Sequence, residues 1–140
     1  MTENETLEHA PKHGSPRTIL VADDETHILH VVSMKLRNAG YIVVTARDGQ
    51  EALDAALTEK PDLLITDYHM PELSGLELCQ RLEQNPATQG IHKIMLTARG
   101  YNLEPADTAS SGIKCMLSKP FSPRQLLSIV NAVFEPGLAA

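Results

Sequence analysis

Positive charge is scarce in this chain. Lysine and arginine number 12 against 18 aspartates and glutamates, a formal net charge of −6 over 140 residues. No basic stripe is available to neutralise phosphates, so direct DNA binding is not expected. Long apolar runs are missing too. None approaches the ~20 residues that span a bilayer, and residues 1–15 are polar, without the apolar core of a signal peptide. No membrane association is expected, and a cytoplasmic location is. Cysteine is limited to Cys79 and Cys115, each inside an apolar segment and with no CxxC spacing. That excludes a thiolate metal cluster and predicts two buried, reduced thiols. His27 and His30 stand at i, i+3 on a helical stretch, but no third ligand accompanies them, so a solvated helix face is expected. Neither GxGxxG nor a P-loop is present to cradle a nucleotide.

What is present is a repeated pattern. The chain fits one domain, and its 42% apolar and 21% charged residues suit a globular fold. Residues 1–16, rich in Glu, Thr, Pro, Gly and His, are predicted to be a disordered arm, residues 17–135 the domain, and residues 136–140 a tail. Within the domain, short β-rich runs alternate with amphipathic helices five times. Helices are predicted over residues 26–39 (Ile28, Leu29, Val32 and Leu36 inward), after an Asp48/Glu51 capping box (Ala52, Leu53, Ala56 and Leu57 inward), over residues 73–84, and after Ser122-Pro123. Residues 100–112 have poor helical periodicity and would form the least stable element. Five βα units predict an α/β fold, a doubly wound five-stranded parallel sheet of flavodoxin-like order 2-1-3-4-5 with helices on both faces.

Three of the apolar runs end in charge: Ile19-Leu20-Val21-Ala22 in Asp23-Asp24, Leu63-Leu64-Ile65-Thr66 in Asp67, and Cys115-Met116-Leu117 in Lys119-Pro120. Under the expected strand order these ends line one crevice, with Thr97 at the end of the fourth strand. Clustered carboxylates either raise a pKa or hold a divalent cation, and oxygen-only ligands suit Mg²⁺. An aspartate can attack phosphorus to form an acyl phosphate, and Asp67, single and central, is the best candidate. Lys119 would supply charge to the phosphoryl oxygens and the Thr97 hydroxyl a hydrogen bond. Taken singly, an acid pair is a common helix cap and Lys-Pro a common turn. Four structural coincidences at matching strand ends are a poor alternative.

The set Asp23-Asp24, Asp67 with Met70-Pro71 and Gly75, Thr97-Ala98 and Lys119-Pro120-Phe121 resembles the receiver domain of bacterial two-component response regulators, over about residues 17–135. The resemblance implies that Asp67 accepts a phosphoryl group from a sensor histidine kinase or phosphotransfer protein. It implies Mg²⁺ held by Asp23, Asp24, Asp67 and the His69 main-chain carbonyl. Lys119 would contact the phosphoryl group, Thr97 would move toward it, and the bond before Pro120 would be cis. One departure stands out: many receivers carry an aromatic residue three positions before the lysine, where this chain has Met116. Methionine repacks without a ring flip. Tyr101 is a candidate substitute, His69 and Arg99 are expected to flank the crevice mouth and tune phosphoryl lifetime, and Ala98 is expected among the switch or tuning residues.

Only residues 135–140 follow Phe134, so a stand-alone switch is expected, with output by contact with an unknown downstream protein or by passing the phosphoryl group onward. A haloacid-dehalogenase-like phosphohydrolase with an aspartyl nucleophile is the competing enzyme class. Those place an acid two residues after the nucleophile, where this chain has His69. A receiver-like binding module that takes no phosphate is the third class.

Overall fold

The computed structural model describes residues 16–98 and 102–135. The expected N-terminal arm (residue 16 apart), Arg99, Tyr101 and residues 136–140 lie outside the described residues. Strands β1 (Thr18–Ala22), β2 (Ile42–Ala46), β3 (Leu63–Asp67), β4 (His92–Thr97) and β5 (Cys115–Ser118) alternate with helices α1 (Thr26–Asn38), α2 (Gly49–Glu59), α3 (Gly75–Gln84), α4 (Pro105–Ser111) and α5 (Pro123–Phe134). The five strands form one sheet in the order β2-β1-β3-β4-β5, every neighbouring pair parallel. Among the described residues no helix is long and apolar enough to cross a membrane.

Period-two alternation sends side chains to both faces of the sheet, and both are covered. One core packs Ile19, Val21, Leu63, Ile65, Ile94 and Leu96 under α1 and α5, through Leu29, Val32, Leu36, Leu126 and Val130. The other packs Leu20, Leu64 and Met95 under α2 and α3, through Ala52, Ala56, Leu78, Cys79 and Leu82, with Ile113 closing the side near α4. β3, at the centre of the sheet, is buried along its whole length. Both cysteines are free: Cys79 is buried and Cys115 half-buried, and burial pushes the Cys79 thiol up to about 12.

Several local expectations needed adjustment. Leu57 is 41% exposed, because Ala52 and Ala56, one turn apart, take the buried face of α2. Asp48 does cap α2, its Oδ1 accepting the Glu51 N–H at 2.7 Å, but Glu51 answers to the Arg47 N–H at 2.6 Å. The reciprocal box belongs to α3 instead: Ser74 Oγ accepts the Glu77 N–H and Glu77 Oε1 accepts the Ser74 N–H, both at 3.1 Å. That cap starts α3 at Gly75 and leaves the buried Leu73 in the connection. Ser122 caps α5 as expected, accepting from the Gln125 N–H at 2.9 Å with Pro123 next.

Candidate active site at the strand ends

Parallel register assembles the crevice. Ala22 pairs with Thr66, so Asp23 and Asp67 leave β1 and β3 side by side at the same level. On the other side Thr97 pairs with Ser118, and the Lys119 N–H donates to the Thr97 carbonyl at 2.8 Å. The Lys119–Pro120 peptide is cis. Ligand oxygens of Asp23, Asp24 and Asp67 all lie within 4.8 Å of one another. Asp23 and Asp67 are buried while Asp24 faces solvent. Three hard oxygen donors at that spacing, half sheltered and half open, fit a cation that keeps several waters.

Lys119 is the counter-charge. Its Nζ lies 3.1 Å from Asp23 Oδ2, 3.2 Å from Asp67 Oδ1 and 2.9 Å from Glu25 Oε1. One ammonium shared this way does not satisfy its carboxylates. Burial, with the charge of Asp23 next, raises the Asp67 carboxyl above its ordinary range even though Lys119 pulls it down. Burial also raises Asp23, against the hydrogen bond from the Glu25 N–H and the pull of Lys119. For Lys119 burial acts downward, yet its bonds to Glu25 and Asp23 and the charges of Asp23 and Asp67 outweigh it and raise the ammonium.

These shifts have a sign in stability. A carboxyl raised in the folded state holds protons that the unfolded chain, with its aspartates near about 3.9, has released. Stability from Asp23 and Asp67 is therefore highest at low pH and is lost as pH rises through their folded values. Two carboxylates at this spacing repel by about 3 kcal/mol at an effective dielectric of ~20, and Lys119 offsets most of it. Asp67→Asn should then stabilise the metal-free protein by on the order of 1 kcal/mol at pH 7.5, with a smaller gain at pH 4.5. Thermal melts in chelator at both pH values test this. A variant less stable than the parent at pH 7.5 would contradict it.

The remaining expected residues divide. Thr97, at the end of β4, is 1% exposed, and Ala98 after it is exposed beside Lys119 and Phe121. The His69 side chain is exposed, its ring edge-on to Tyr68 at 4.7 Å. Met116 is half-buried against the core under α2 and α3, in register with Met95. Glu25 was not among the expected residues, although it extends the acid run of Asp23-Asp24. A carboxylate just before a helix is indistinguishable in sequence from an ordinary first-turn acid.

Comparison with known proteins agrees with this geometry. The family model for the response regulator receiver domain matches residues 19–131. The chain is 40% identical over 119 residues to the alkaline phosphatase synthesis transcriptional regulatory protein PhoP of Bacillus subtilis, covering 85% of this chain and 49% of that one. Among solved structures, the chemotaxis response regulator CheY4 of Vibrio cholerae superposes with TM-score 0.78 at 32% identity, over 85% of this chain and 99% of that one. The receiver domain of the Pseudomonas aeruginosa sensor histidine kinase PA1611, solved with a magnesium ion coordinated in its active site cleft, gives TM-score 0.74 at 25% identity, over 84% and 96%.

One expectation is overturned. Net charge predicts no direct DNA binding, yet the curated relatives are transcriptional regulatory proteins. The chain spans about half the length of those relatives. Net charge describes only the residues counted, so acidity in a receiver-sized chain carries no information about DNA contacts made by other parts of such a regulator. From residue 19 to residue 131, with its acidic crevice and its 2-1-3-4-5 sheet, this chain belongs to the response regulator receiver domain family.

Proposed function

We propose that Asp67 is the phosphoacceptor of a signalling switch, residues 17–135 forming the receiver unit. The observation that carries this reading is the convergence of Asp23, Asp24, Asp67 and Lys119 at one end of the sheet. An Asp67 carboxylate oxygen attacks the phosphorus of a phosphohistidine on a sensor kinase or phosphotransfer protein. The O–P bond forms as the P–N bond breaks, and the departing imidazole keeps the electron pair and takes up a proton. Positioning and positive charge are the main requirements of such a transfer. Lys119 contributes one charge and the Thr97 hydroxyl a hydrogen bond to the transferred group.

Asp23, Asp24, Asp67 and the His69 main-chain carbonyl would hold Mg²⁺, which supplies further positive charge to the phosphoryl oxygens. The magnesium ion in the cleft of the similar kinase receiver supports that choice. Thr97, with Ala98 and Met116 behind it, carries the change outward. Arg99 and His69 set how fast water removes the phosphoryl group, and Tyr101 is a further candidate in the switch. The chemistry is that of an acceptor with slow self-dephosphorylation rather than a turnover enzyme, working in the cytoplasm. Transcriptional control is the output proposed for the whole protein, on the names of its relatives.

Incubation with Mg²⁺ and acetyl phosphate tests the assignment. An acid-stable, base-labile mass gain of one phosphoryl group is expected on Asp67 and is expected to vanish in Asp67→Asn. Rapid turnover of many phosphomonoesters would instead favour a hydrolase. Neither adduct nor metal binding would leave only a phosphate-independent binding module.

A further inference from the structure

Lys119 makes its shortest ionic contact with the outermost of three carboxylates. Glu25 Oε1 lies 2.9 Å from Nζ, and that side chain is 59% exposed, against 10% for Asp67 and none for Asp23. Glu25 is the N-cap residue of α1, but its side chain makes no capping bond. Its carboxylate is therefore committed to Lys119 and not to the helix. Its main chain acts on the same site, because the Glu25 N–H donates to Asp23 Oδ1 at 2.9 Å. One residue thus fixes one oxygen of Asp23 and competes for the ammonium that the other oxygen binds at 3.1 Å. Both Glu25 and Lys119 line a groove of about 640 Å³ between α1 and the β5–α5 connection, which gives the lysine room to swing outward.

We propose that Glu25 is a positioning residue that shares Lys119 with Asp23 and Asp67 and loosens its hold on them, so that a divalent cation displaces it from the crevice more easily. The proposal rests on the phosphoacceptor reading. An ammonium and a divalent cation compete for the same carboxylate oxygens. Without Glu25, Lys119 settles wholly on Asp23 and Asp67, and the cation displaces it less easily. With Glu25, the lysine waits within reach and transfers to the phosphoryl oxygens when these bring new negative charge. The pair is exposed enough to add little to stability, so replacing Glu25 perturbs placement rather than folding.

Glu25→Ala, Glu25→Asp and the parent separate the possibilities, with melting curves as a folding control. Aspartate keeps the charge but is one methylene short of Lys119. Titration of the unmodified proteins with Mg²⁺ should show both variants weakened, by about 3- to 10-fold. Labelling by acetyl phosphate at saturating Mg²⁺ should stay within about two-fold of the parent, since the cation has by then displaced the lysine. Glu25→Asp binding Mg²⁺ like the parent while Glu25→Ala is weakened would reduce Glu25 to a distant charge and overturn the proposal. Parent-like affinity in both variants would overturn it too. A parent that binds Mg²⁺ but takes no phosphoryl group would defeat the phosphoacceptor reading, while the titrations would still decide where Glu25 holds Lys119.

Discussion

Gly75→Ala is expected to destabilise the protein by about 3 kcal/mol and to weaken Mg²⁺ binding with it. A Cβ at this position would lie 2.2 Å from the Asp67 carbonyl oxygen and 3.1 Å from the Tyr68 Cα. Both are backbone atoms, so no side chain can rotate away. The connection is already drawn tight, the Gly75 N–H donating to the Tyr68 carbonyl at 2.7 Å. Relief requires the backbone to shift, at the start of α3 or at the end of β3 that carries Asp67. Overpacking a well-filled site typically costs 1–3 kcal/mol, and an unyielding backbone puts this case at the top of that range. The sign is informative, because glycine to alanine in a helix interior ordinarily gains about 1 kcal/mol. Gly90→Ala, whose Cβ would meet nothing within 4 Å, serves as the control. Denaturant titrations of both variants, with Mg²⁺ titrations of the folded proteins, decide it. Equal stability of Gly75→Ala and the parent would remove the steric argument.

That clash shows which features were legible in the sequence. Gly75 could be picked out as a motif residue, but the atom it makes room for could not. The strands were readable because each is a short apolar run closed by a polar or charged residue. Their order followed because five right-handed βα units leave few alternatives. Asp23, Asp67 and Lys119 were legible for the same reason: each follows or ends such a run. Glu25 was not, because its partner Lys119 is 94 residues away and no periodicity links them.

Helix α4 was hard to read for a different reason. Its sequence PADTASS carries no apolar stripe, and Ser111 is its single buried residue. It forms between Pro105 at its start and Gly112, whose φ of 71° supplies the left-handed C-cap. Its neighbour α3 then holds it through a polar bond, Gln80 Nε2 donating to Ser110 Oγ at 3.0 Å. Stripe-based reading is blind to a helix anchored by polar bonds and caps.

Lys93 is the other side chain that no pattern revealed, and Glu83→Ala is expected to cost about 3 kcal/mol through it. Lys93 sits early in β4 with its side chain 1% exposed, its Nζ donating to Glu83 Oε1 at 2.8 Å and to the Ile91 carbonyl at 3.0 Å. Glu83, on α3, is 36% exposed. That asymmetry fixes the order of effects. Removing the glutamate leaves a buried ammonium with one carbonyl, a situation that costs 3–5 kcal/mol, reduced here to the lower end because water can follow through the vacated surface. Removing the lysine as Lys93→Met leaves a carboxylate able to hydrate, so about 1 kcal/mol is expected. The double variant should recover most of the Glu83→Ala loss, since an apolar replacement of a buried pair is often neutral. Glu83 also abuts Gly112, where an added Cβ would meet Oε1 at 2.5 Å. Glu83→Ala should therefore speed hydrogen exchange across Pro105–Ser111 more than Lys93→Met does, loosening α4 without touching the crevice. Lys93→Met proving the costlier single change would place the buried penalty on the wrong partner.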